Sequence, residues 1–384
     1  MPTTRLKNTL YRAALPFCAP GCGPRPVSGV TGHPLSRPRQ FERLVRRHHV
    51  LGSATLIVSG DQSALVCTSS RTPEHIAAPD TFFRVASITK TATAMLAMRM
   101  ADEGLLDPDA PAGGYFRDAA AASALEGITL RHLLSHTSGL LDPPDLETAV
   151  TAGKPFPDLV PSARRDAPGR SFHYSNLGFG LIGCIMEAVL DKPVGEIFRD
   201  RLFSPLGMES TLEGCLLPAD RIMPVSRVLP YRGGTGLVLT SLGSVPLQSA
   251  DPLSHYGHTA GSMYTDIGSL RKMLDVLMEN GPAYLSEDAV KDMKAQHASY
   301  GSLSPTLSYG LGLLRISDPS LSSGLILGHQ GFAYGCADGA FWEEATGRIM
   351  ITLNGGCSEA RTGRLGLANR DFLRWAFRKE LPSW

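Results

Sequence analysis

Residues 85–104, VASITKTATAMLAMRMADEG, predict the helix around which the rest of the chain is organised. Residues 87–103 contain no Gly or Pro and are rich in Ala, Leu and Met, which favour a helix, and Gly104 is typical of a helix end. Lys90 is the only charged residue in 85–98, and a helix that is apolar on all sides is usually buried. The stretch therefore predicts a core helix that carries one buried amine.

The first turn of this helix holds a candidate nucleophile and a candidate base. Ser87 and Lys90 share one face, and free N–H groups at a helix start favour a developing oxyanion. Because a buried ammonium loses its proton more easily than an exposed one, Lys90 could accept the proton of the Ser87 hydroxyl. The alternative is that Ser87 only caps the helix and Lys90 extends to solvent. The same spacing recurs at Ser269 and Lys272, within an amphipathic helix predicted over 266–279, and we interpret that copy as structural.

A second polar group is expected at Tyr174-Ser175-Asn176, between a turn and a helix predicted over Leu177–Leu190. A tyrosine at such a junction can project its hydroxyl into a cleft. Its pKa is ordinarily near ~10, and a nearby ammonium would lower that pKa and make the phenol a usable proton carrier. Asn176 offers both a donor and an acceptor. The alternative is a half-buried tyrosine followed by an ordinary turn asparagine.

A third motif, His329-Gln330-Gly331, is predicted to lie on or beside an inner strand of an antiparallel sheet. Strands are predicted around it over 324–328, 335–342 and 348–353. Gly331 would let the backbone of a ligand approach closely. The amide of Phe332 could donate to an oxyanion beside the amide of Ser87.

Taken in this order, the three motifs resemble those of the serine hydrolases of the β-lactamase and penicillin-binding-protein superfamily. Class C β-lactamases and family VIII esterases are nearest in pattern. The class A branch has Ser-Asp-Asn and Lys-Thr-Gly as its second and third motifs, whereas this chain has Tyr174 and His329 at their first positions. Further stretches that resemble the family are Leu130–Leu140, Pro168–Gly169, Ala260–Tyr264 and Tyr309–Leu313.

The resemblance implies a role for each residue of the motifs. Ser87 would be the acylated nucleophile, and Lys90 and Tyr174 would share the duties of base and acid. Asn176 would orient Lys90 and the substrate. The strand edge that binds the substrate would be lined by His329, Gly331 and Phe332. Since histidine has an ordinary pKa near ~6.5, His329 would be only partly charged where β-lactam-binding members carry lysine, which argues against strong β-lactamase activity.

The predicted fold is α/β (α+β), of the β-lactamase/transpeptidase type: an antiparallel sheet flanked by helices, with an inserted all-helical domain. A discontinuous sheet domain is predicted over 42–106 plus 226–384, and a helical domain over 107–225. Residues 1–41 are basic, proline-rich and free of acids, and predict a disordered or targeting tail. Ser87, Tyr174 and His329 could then meet only at the junction of the two domains.

Composition excludes several function classes. Of the 384 residues, 37 are Lys or Arg and 36 are Asp or Glu, so the net charge of +1 gives no sign of nucleic-acid or membrane-surface binding. No apolar run reaches the ~18 residues of a membrane span. Seven scattered cysteines favour a reducing compartment, so we expect a cytoplasmic location, with organellar targeting by residues 1–41 as the alternative.

Neither a cofactor nor a metal is predicted. The run Gly178–Gly183 fits G-x-G-x-x-G, but no strand of useful length precedes it, and we interpret these glycines as packing positions on a buried helix. His132 and His136 are spaced for a metal pair, yet no third ligand type lies near them and we interpret them as packing residues. The copy of His-x-Gly at His255 falls in a loop and is discounted.

The predicted function is therefore hydrolysis of small esters or amides through an acyl-enzyme on Ser87. Three alternatives stay open. One is a β-lactamase or D-amino-acid peptidase of the same mechanism, and the second is an acyltransferase that passes the acyl group to a small-molecule acceptor. The third is a catalytically idle binding or sensor domain. The acyl pocket is expected to be shaped by Leu141–Ala167 and Val225–His258.

Overall fold

The computed structural model describes residues 4–18, 24–35, 37–71, 75–228, 231–232, 246–278, 284–302, 304–333 and 335–378. The α-helices are α1 (Thr4–Cys18), α2 (Pro38–Arg47), α3 (Thr89–Asp102), α4 (Ala119–Ala124), α5 (Leu130–Leu134), α6 (Leu146–Thr151), α7 (Val160–Ala163), α8 (Asn176–Leu190), α9 (Val194–Phe198), α10 (Ile267–Met278), α11 (Glu287–Lys294) and α12 (Leu367–Phe377). Short 3₁₀ turns lie at Ala86–Ile88, Ala112–Tyr115, Phe156–Asp158, Gly214–Leu216 and Ala219–Arg221, and a π turn at Arg199–Phe203.

The strands are β1 (Pro24–Gly32), β2 (Ser53–Ser59), β3 (Gln62–Ser70), β4 (Phe83–Arg84), β5 (Ser210–Thr211), β6 (Arg227–Val228), β7 (Tyr231–Arg232), β8 (Tyr264–Thr265), β9 (Ala298–Ser299), β10 (Leu307–Tyr309), β11 (Leu314–Ile316), β12 (Ile326–Ala333), β13 (Cys336–Glu343), β14 (Ile349–Asn354), β15 (Arg361–Thr362) and β16 (Leu365–Gly366). A nine-stranded antiparallel sheet has the order β1-β3-β2-β14-β13-β12-β11-β10-β9. This arrangement confirms the predicted fold class.

The central strands are buried on both faces, and their side chains alternate between two apolar layers. Ile349, Ile351 and Leu353 of β14 join the layer that also holds α3, α8 and α10, whereas Met350 points into the layer beneath α2 and α12. This period of two is what an extended chain requires when each face is covered. The sheet therefore separates the helices that carry the motif residues from those that only cover it.

Helices α2 and α12 cover the outer face through their apolar positions. Phe41 of α2 lies 5.9 Å from Phe372 and 5.3 Å from Trp375 of α12, ring centroid to ring centroid. The two helices thus close one face of the sheet.

The N-terminal segment differs from its prediction. Residues 1–41 were predicted to be a disordered or targeting tail. Disorder is wrong for Pro24–Gly32, where β1 pairs with β3 and extends the sheet at its edge, whereas targeting stays a prediction. Backbone hydrogen bonds explain the difference, because a strand at the edge of a sheet can be held by the neighbouring strand without an apolar face of its own. Residues 1–3, 19–23 and 36 lie outside the described residues.

The segment 107–209, all of it described, consists of helices and turns with isolated bridges only. Its core is built by α5, α8 and the helices around them, which pack on the buried helix α3. The strand β5 follows this segment. It pairs with β8, whose other edge pairs with β4. The division into a sheet domain (42–106 plus 226–384) and a helical domain (107–225) stays a prediction.

Candidate active site

Ser87 lies in a tight turn between β4 and α3. The turn Ala86–Ile88 runs directly into the helix, and Ala86 has a φ of 44°, in the left-handed region that residues with a side chain rarely adopt. The amide of Val85 is held by the carbonyl of Met263, at 3.0 Å. This local strain places the Ser87 side chain at the start of α3, as the sequence predicted, and turns it toward the interior of the site.

Lys90 is fully buried and makes three hydrogen bonds through Nζ. It donates to Ser87 Oγ at 3.2 Å, to Asn176 Oδ1 at 2.7 Å and to the carbonyl oxygen of Ala260 at 2.7 Å. Burial lowers the pKa of Lys90 to about 7; Asp142 opposes this shift, and Arg84 adds slightly to it. Three donations at once require the ammonium form. Near neutral pH the amine is partly deprotonated, and its two remaining N–H bonds can then serve Asn176 and Ala260 while its lone pair accepts from Ser87 Oγ.

Tyr174 approaches the same hydroxyl from the helical side. The ring centroid lies 4.9 Å from Lys90 Nζ, and a hydrogen bond joins the phenol to Ser87. The sequence predicted that an ammonium would lower the pKa of Tyr174, and this is wrong: burial raises the pKa well above its ordinary value, and the bond to Ser87 only partly offsets the rise. Tyr174 is thus a neutral phenol that can donate and accept, not a phenolate.

Asn176 is placed by the N-terminus of α8, where the sequence allows a tight cap. Ser175 accepts a hydrogen bond from the amide of Gly178 at 3.0 Å and so begins the helix. Asp142 then accepts from Ser175 Oγ at 2.9 Å, from Asn176 Nδ2 at 2.8 Å and from the amide of Leu177 at 3.0 Å. Asp142 was missed by the sequence reasoning, which placed 141–167 only as a pocket segment.

His329 lines the site and is deeply buried. It is 3% exposed, its Nε2 lies 2.9 Å from the Tyr309 hydroxyl, and its Nδ1 lies 2.7 Å from the carbonyl of Gln330. Because a carbonyl only accepts, Nδ1 carries the proton and Nε2 accepts from Tyr309. Burial, and secondly the charge of Lys90, lower the pKa of His329 to about 3. The expectation of a partly charged histidine is therefore wrong, and the ring is neutral.

Gly331 lets β12 approach the turn that carries Ser87. A Cβ at this position would overlap the carbonyl oxygen of Val85, so no larger residue fits without moving one of the two segments. Phe332 follows in the same strand and lines the same cleft as Ser87. The strand partner β11 covers only Ile326–Gly328 of β12, which leaves 329–333 on the side of the cleft. The sequence predicted such an edge.

A neutral aromatic wall backs the site. His136 is buried at a φ of 59°, accepts from the amide of Ser175 at 3.1 Å and lies 4.3 Å from Tyr174, ring centroid to ring centroid. Burial, and then the charge of Lys90, lower its pKa well below the ordinary value. His136 thus positions the Tyr174 ring, a role in keeping with the packing interpretation from the sequence.

Ser87, Tyr174, Asn176 and His329 line a cleft of about 500 Å³ at the meeting point of the turn Ala86–Ile88, α6, α8 and β12. Both predicted pocket segments contribute to it; 229–230 and 233–245 lie outside the described residues. Its lining combines apolar groups with four arginines and two glutamates. The lining residues are Arg84, Ala86, Ser87, Leu146, Glu147, Val150, Tyr174, Asn176, Arg227, Tyr256, Gly257, Ala260, Gly261, Tyr300, Leu314, His329, Gln330, Phe332, Ala333, Glu359, Arg361 and Arg364.

The competing motif copies lie elsewhere and have structural partners. Ser269 is buried at the start of α10, where its hydroxyl donates to Asp266 at 2.8 Å and accepts from the amide of Glu209 at 2.8 Å. His255 Nδ1 lies 2.8 Å from a carboxylate oxygen of Glu187. Gly180 is a packing position, since a Cβ there would overlap the carbonyl of Tyr256.

Within the described ranges, no group of three or more His, Cys, Asp or Glu side chains is arranged to hold a metal ion. In that same part of the chain, no helix has both the length and the apolar character needed to cross a bilayer.

A large antiparallel sheet, with Ser-x-x-Lys at the start of a buried helix and a tyrosine from an inserted helical segment, defines the class of β-lactamase/transpeptidase-like proteins. The chain belongs to the β-lactamase family, whose family model matches residues 38–353.

The chain is similar to a penicillin-binding protein, an esterase and an amidase. Penicillin-binding protein 4 of Amycolatopsis lactamdurans is 30% identical over 180 residues, which cover 45% of this chain and 47% of that protein. Esterase EstB of Burkholderia gladioli is 23% identical over 376 residues, 86% of this chain and 92% of the esterase. The D-amino acid amidase of Ochrobactrum anthropi SV3 is similar in structure, with a TM-score of 0.66 at 23% identity, covering 89% of this chain and 99% of the amidase.

The match to the first of these relatives is partial. The chain spans about half the length of that penicillin-binding protein. At 23% identity the amidase shows the common fold only.

Proposed function

We propose that this protein is a serine hydrolase that forms an acyl-enzyme on Ser87 and acts on small esters or amides. The observation that carries the proposal is the contact of Lys90 Nζ with Ser87 Oγ at 3.2 Å, by an amine whose pKa burial lowers to about 7. A neutral amine beside a hydroxyl is what activates a serine without a metal. An idle binding domain would have no need of a desolvated lysine in this position.

The first step is attack of Ser87 Oγ on the substrate carbonyl carbon. Lys90 Nζ takes the hydroxyl proton while the new C–O bond forms, and the carbonyl electron pair moves onto the oxygen. The amides of Ser87 and Phe332, which come from opposite walls of the cleft, would stabilise that oxyanion. Asn176 and the carbonyl of Ala260 accept from the resulting ammonium and hold it in place.

The second step releases the leaving group. The C–O or C–N bond breaks as the electron pair of the oxyanion re-forms the carbonyl. The leaving group takes a proton from the Tyr174 phenol, and Lys90 then gives its own proton to Tyr174. Because burial raises the pKa of Tyr174, this residue passes the proton on and does not remain a phenolate. A water molecule activated by the same pair would then free the acyl group, and another alcohol in its place would make the reaction an acyl transfer.

Several observations support small esters and amides over β-lactams. His329 is neutral and both its ring nitrogens are engaged, so it offers no fixed charge to the carboxylate of a lactam. EstB, by its name an esterase, is similar over most of both chains. A β-lactamase or D-amino-acid peptidase remains the second candidate, because the cleft supplies arginines that could take over the missing charge.

The proposal is tested by a fluorophosphonate probe and a substrate panel. We expect covalent labelling of the wild-type protein at Ser87, located by peptide mass spectrometry. We expect turnover of p-nitrophenyl acetate and butyrate, slower turnover of D-alanyl p-nitroanilide, and weak turnover of nitrocefin. Adding a simple alcohol as acceptor distinguishes acyl transfer from hydrolysis by the product formed. Absence of both labelling and turnover would leave the idle binding domain as the better interpretation.

Arg361 is expected to select for anionic acyl groups. Its guanidinium lies 3.8 Å from the centre of the Phe332 ring, at the mouth of the cleft. We predict that Arg361→Ala lowers kcat/KM for p-nitrophenyl hydrogen succinate by about 5- to 10-fold and leaves that for p-nitrophenyl butyrate unchanged, since a partly exposed charge contributes about 1 kcal/mol. Arg199→Ala, which removes an exposed guanidinium outside the cleft, is the matched control. An equal loss on both esters would contradict a role in charge recognition.

We also propose a cytoplasmic location, on the basis of the scattered cysteines, and a division of the chain into two domains. The acyl-transfer site takes residues from both proposed domains, with Ser87 from the sheet side and Tyr174 from 107–225. Such placement at a junction is common for ligand clefts and supports the division.

A further inference from the structure

We infer that Asp142 is a positioning residue of the acyl-transfer site, which holds Asn176 in the orientation that Lys90 requires and sets the pH range in which Lys90 acts as a base. The inference rests on the proposed function. Asp142 lies in the segment before α6, in none of the three motifs, and its side chain is half-buried at the N-terminus of α8.

Three donors converge on this carboxylate. Oδ1 accepts from Ser175 Oγ at 2.9 Å and from the amide of Leu177 at 3.0 Å, while Oδ2 accepts from Asn176 Nδ2 at 2.8 Å. An ionised carboxylate only accepts, and its two oxygens can serve all three donors at once. No neutral side chain of the same size could receive all three without presenting a donor of its own.

The contact with Asn176 fixes which way its amide faces. With Nδ2 committed to Asp142, Oδ1 must point to Lys90 Nζ, and the distance there is 2.7 Å. The reverse orientation would set Nδ2 against the amine of Lys90, where two donors would meet, and Oδ1 against the carboxylate of Asp142, where two acceptors would meet. The chain of contacts from Asp142 through Asn176 to Lys90 therefore ends at Ser87, which Lys90 contacts at 3.2 Å.

Asp142 also counters the effect of burial on the amine. The groups that face Lys90 are the phenol of Tyr174, the imidazoles of His136 and His329, the guanidinium of Arg84 and the carboxylate of Asp142. The phenol and both imidazoles are neutral, because burial shifts their pKa values away from the charged forms. Among the described residues, Asp142 is thus the anion that favours protonated Lys90, against burial and Arg84.

A purely structural reading is the competing account. An anion at a helix N-terminus stabilises the helix, and Asp142 could do this for α8 alone. The two accounts differ in one observable, because loss of a helix cap lowers stability at every pH but does not move the pKa of the catalytic base.

The test is the pH dependence of the acylation rate of Asp142→Asn, measured as the burst phase with p-nitrophenyl acetate. In the wild type we expect the rate to rise with pH through about 7, the pKa to which burial lowers Lys90. Removing the carboxylate destabilises the protonated amine, so the rise should move at least about one pH unit toward acid. The plateau rate should also fall at least about tenfold, because the Asn176 amide is no longer held.

Two variants serve as controls. Asp145→Asn removes the same charge from an exposed position three residues away, where the side chain makes no capping bond, and should leave the profile unchanged. Asp142→Glu keeps the charge but lengthens the side chain, so the plateau should fall while the rise stays near about 7. This variant also provides the test if Asp142→Asn does not fold.

The outcomes separate the inference from the proposal on which it rests. A lower rate in Asp142→Asn at all pH values, with the rise unmoved, would show a structural role only and overturn the inference. A rise displaced in Asp142→Glu as far as in Asp142→Asn would overturn it as well. If wild-type protein shows no burst that depends on Ser87, the proposed function itself has failed.

Discussion

Ser87→Ala is expected to abolish covalent labelling by a fluorophosphonate and to lower the turnover of p-nitrophenyl esters by about 10⁴-fold or more. The loss follows from the geometry, since Ser87 Oγ is the hydroxyl that both Lys90 and Tyr174 contact. Alanine removes the atom that forms the acyl bond but leaves the backbone of the turn intact. The measurement is labelling read by mass spectrometry, together with steady-state turnover on the same preparation.

The second Ser-x-x-Lys copy supplies the control. Ser269→Ala removes a hydroxyl that is already bonded to Asp266 and to the amide of Glu209, outside the cleft. We expect unchanged labelling and turnover, and a loss of stability of about 1 kcal/mol from the broken hydrogen bonds. Labelling that persists in Ser87→Ala but disappears in Ser269→Ala would reverse the assignment of the nucleophile.

The residues that could be predicted from the sequence are those whose placement depends on local geometry. Ser87 and Lys90 lie one turn apart on an apolar helix, so their contact and the burial of the amine follow from spacing and composition alone. The strand predicted over 348–353 is likewise present as β14, because a short continuous apolar run is enough to indicate it. Each of these needs only a short stretch of chain and one elementary rule.

The features that the sequence did not predict depend on contacts between segments that are far apart in the chain. The pKa of Tyr174 was expected to fall because an amine is close, but the depth of its burial decides the sign. His329 loses its charge for the same reason, since Tyr309 and the Gln330 carbonyl enclose its ring. Asp142 carries no motif of its own, and only the meeting of its segment with α8 gives it partners.

Lys90→Met is the second change for which we expect a large effect. Methionine matches the length of the lysine stem and suits an apolar site, yet it cannot accept the proton of Ser87. Loss of the base should lower the acylation rate by about 10³-fold or more. The burst phase with p-nitrophenyl acetate measures this directly, and retention of more than about a tenth of the rate would assign the base to another group.

The same variant should change stability in a way that depends on pH. Unfolded Lys90 has its ordinary pKa of 10.5, whereas burial lowers the folded pKa to about 7, so between these values the unfolded state binds the extra proton. Wild-type stability therefore rises with pH across this window, and Lys90→Met lacks that contribution. Measured by urea unfolding at matched ionic strength, the variant should gain stability relative to the wild type as pH falls from about 10 to about 7, with no further change below. A constant difference from pH 7 to 10 would mean that Lys90 is not desolvated in the folded protein, and the neutral base on which the proposed mechanism depends would be lost with it.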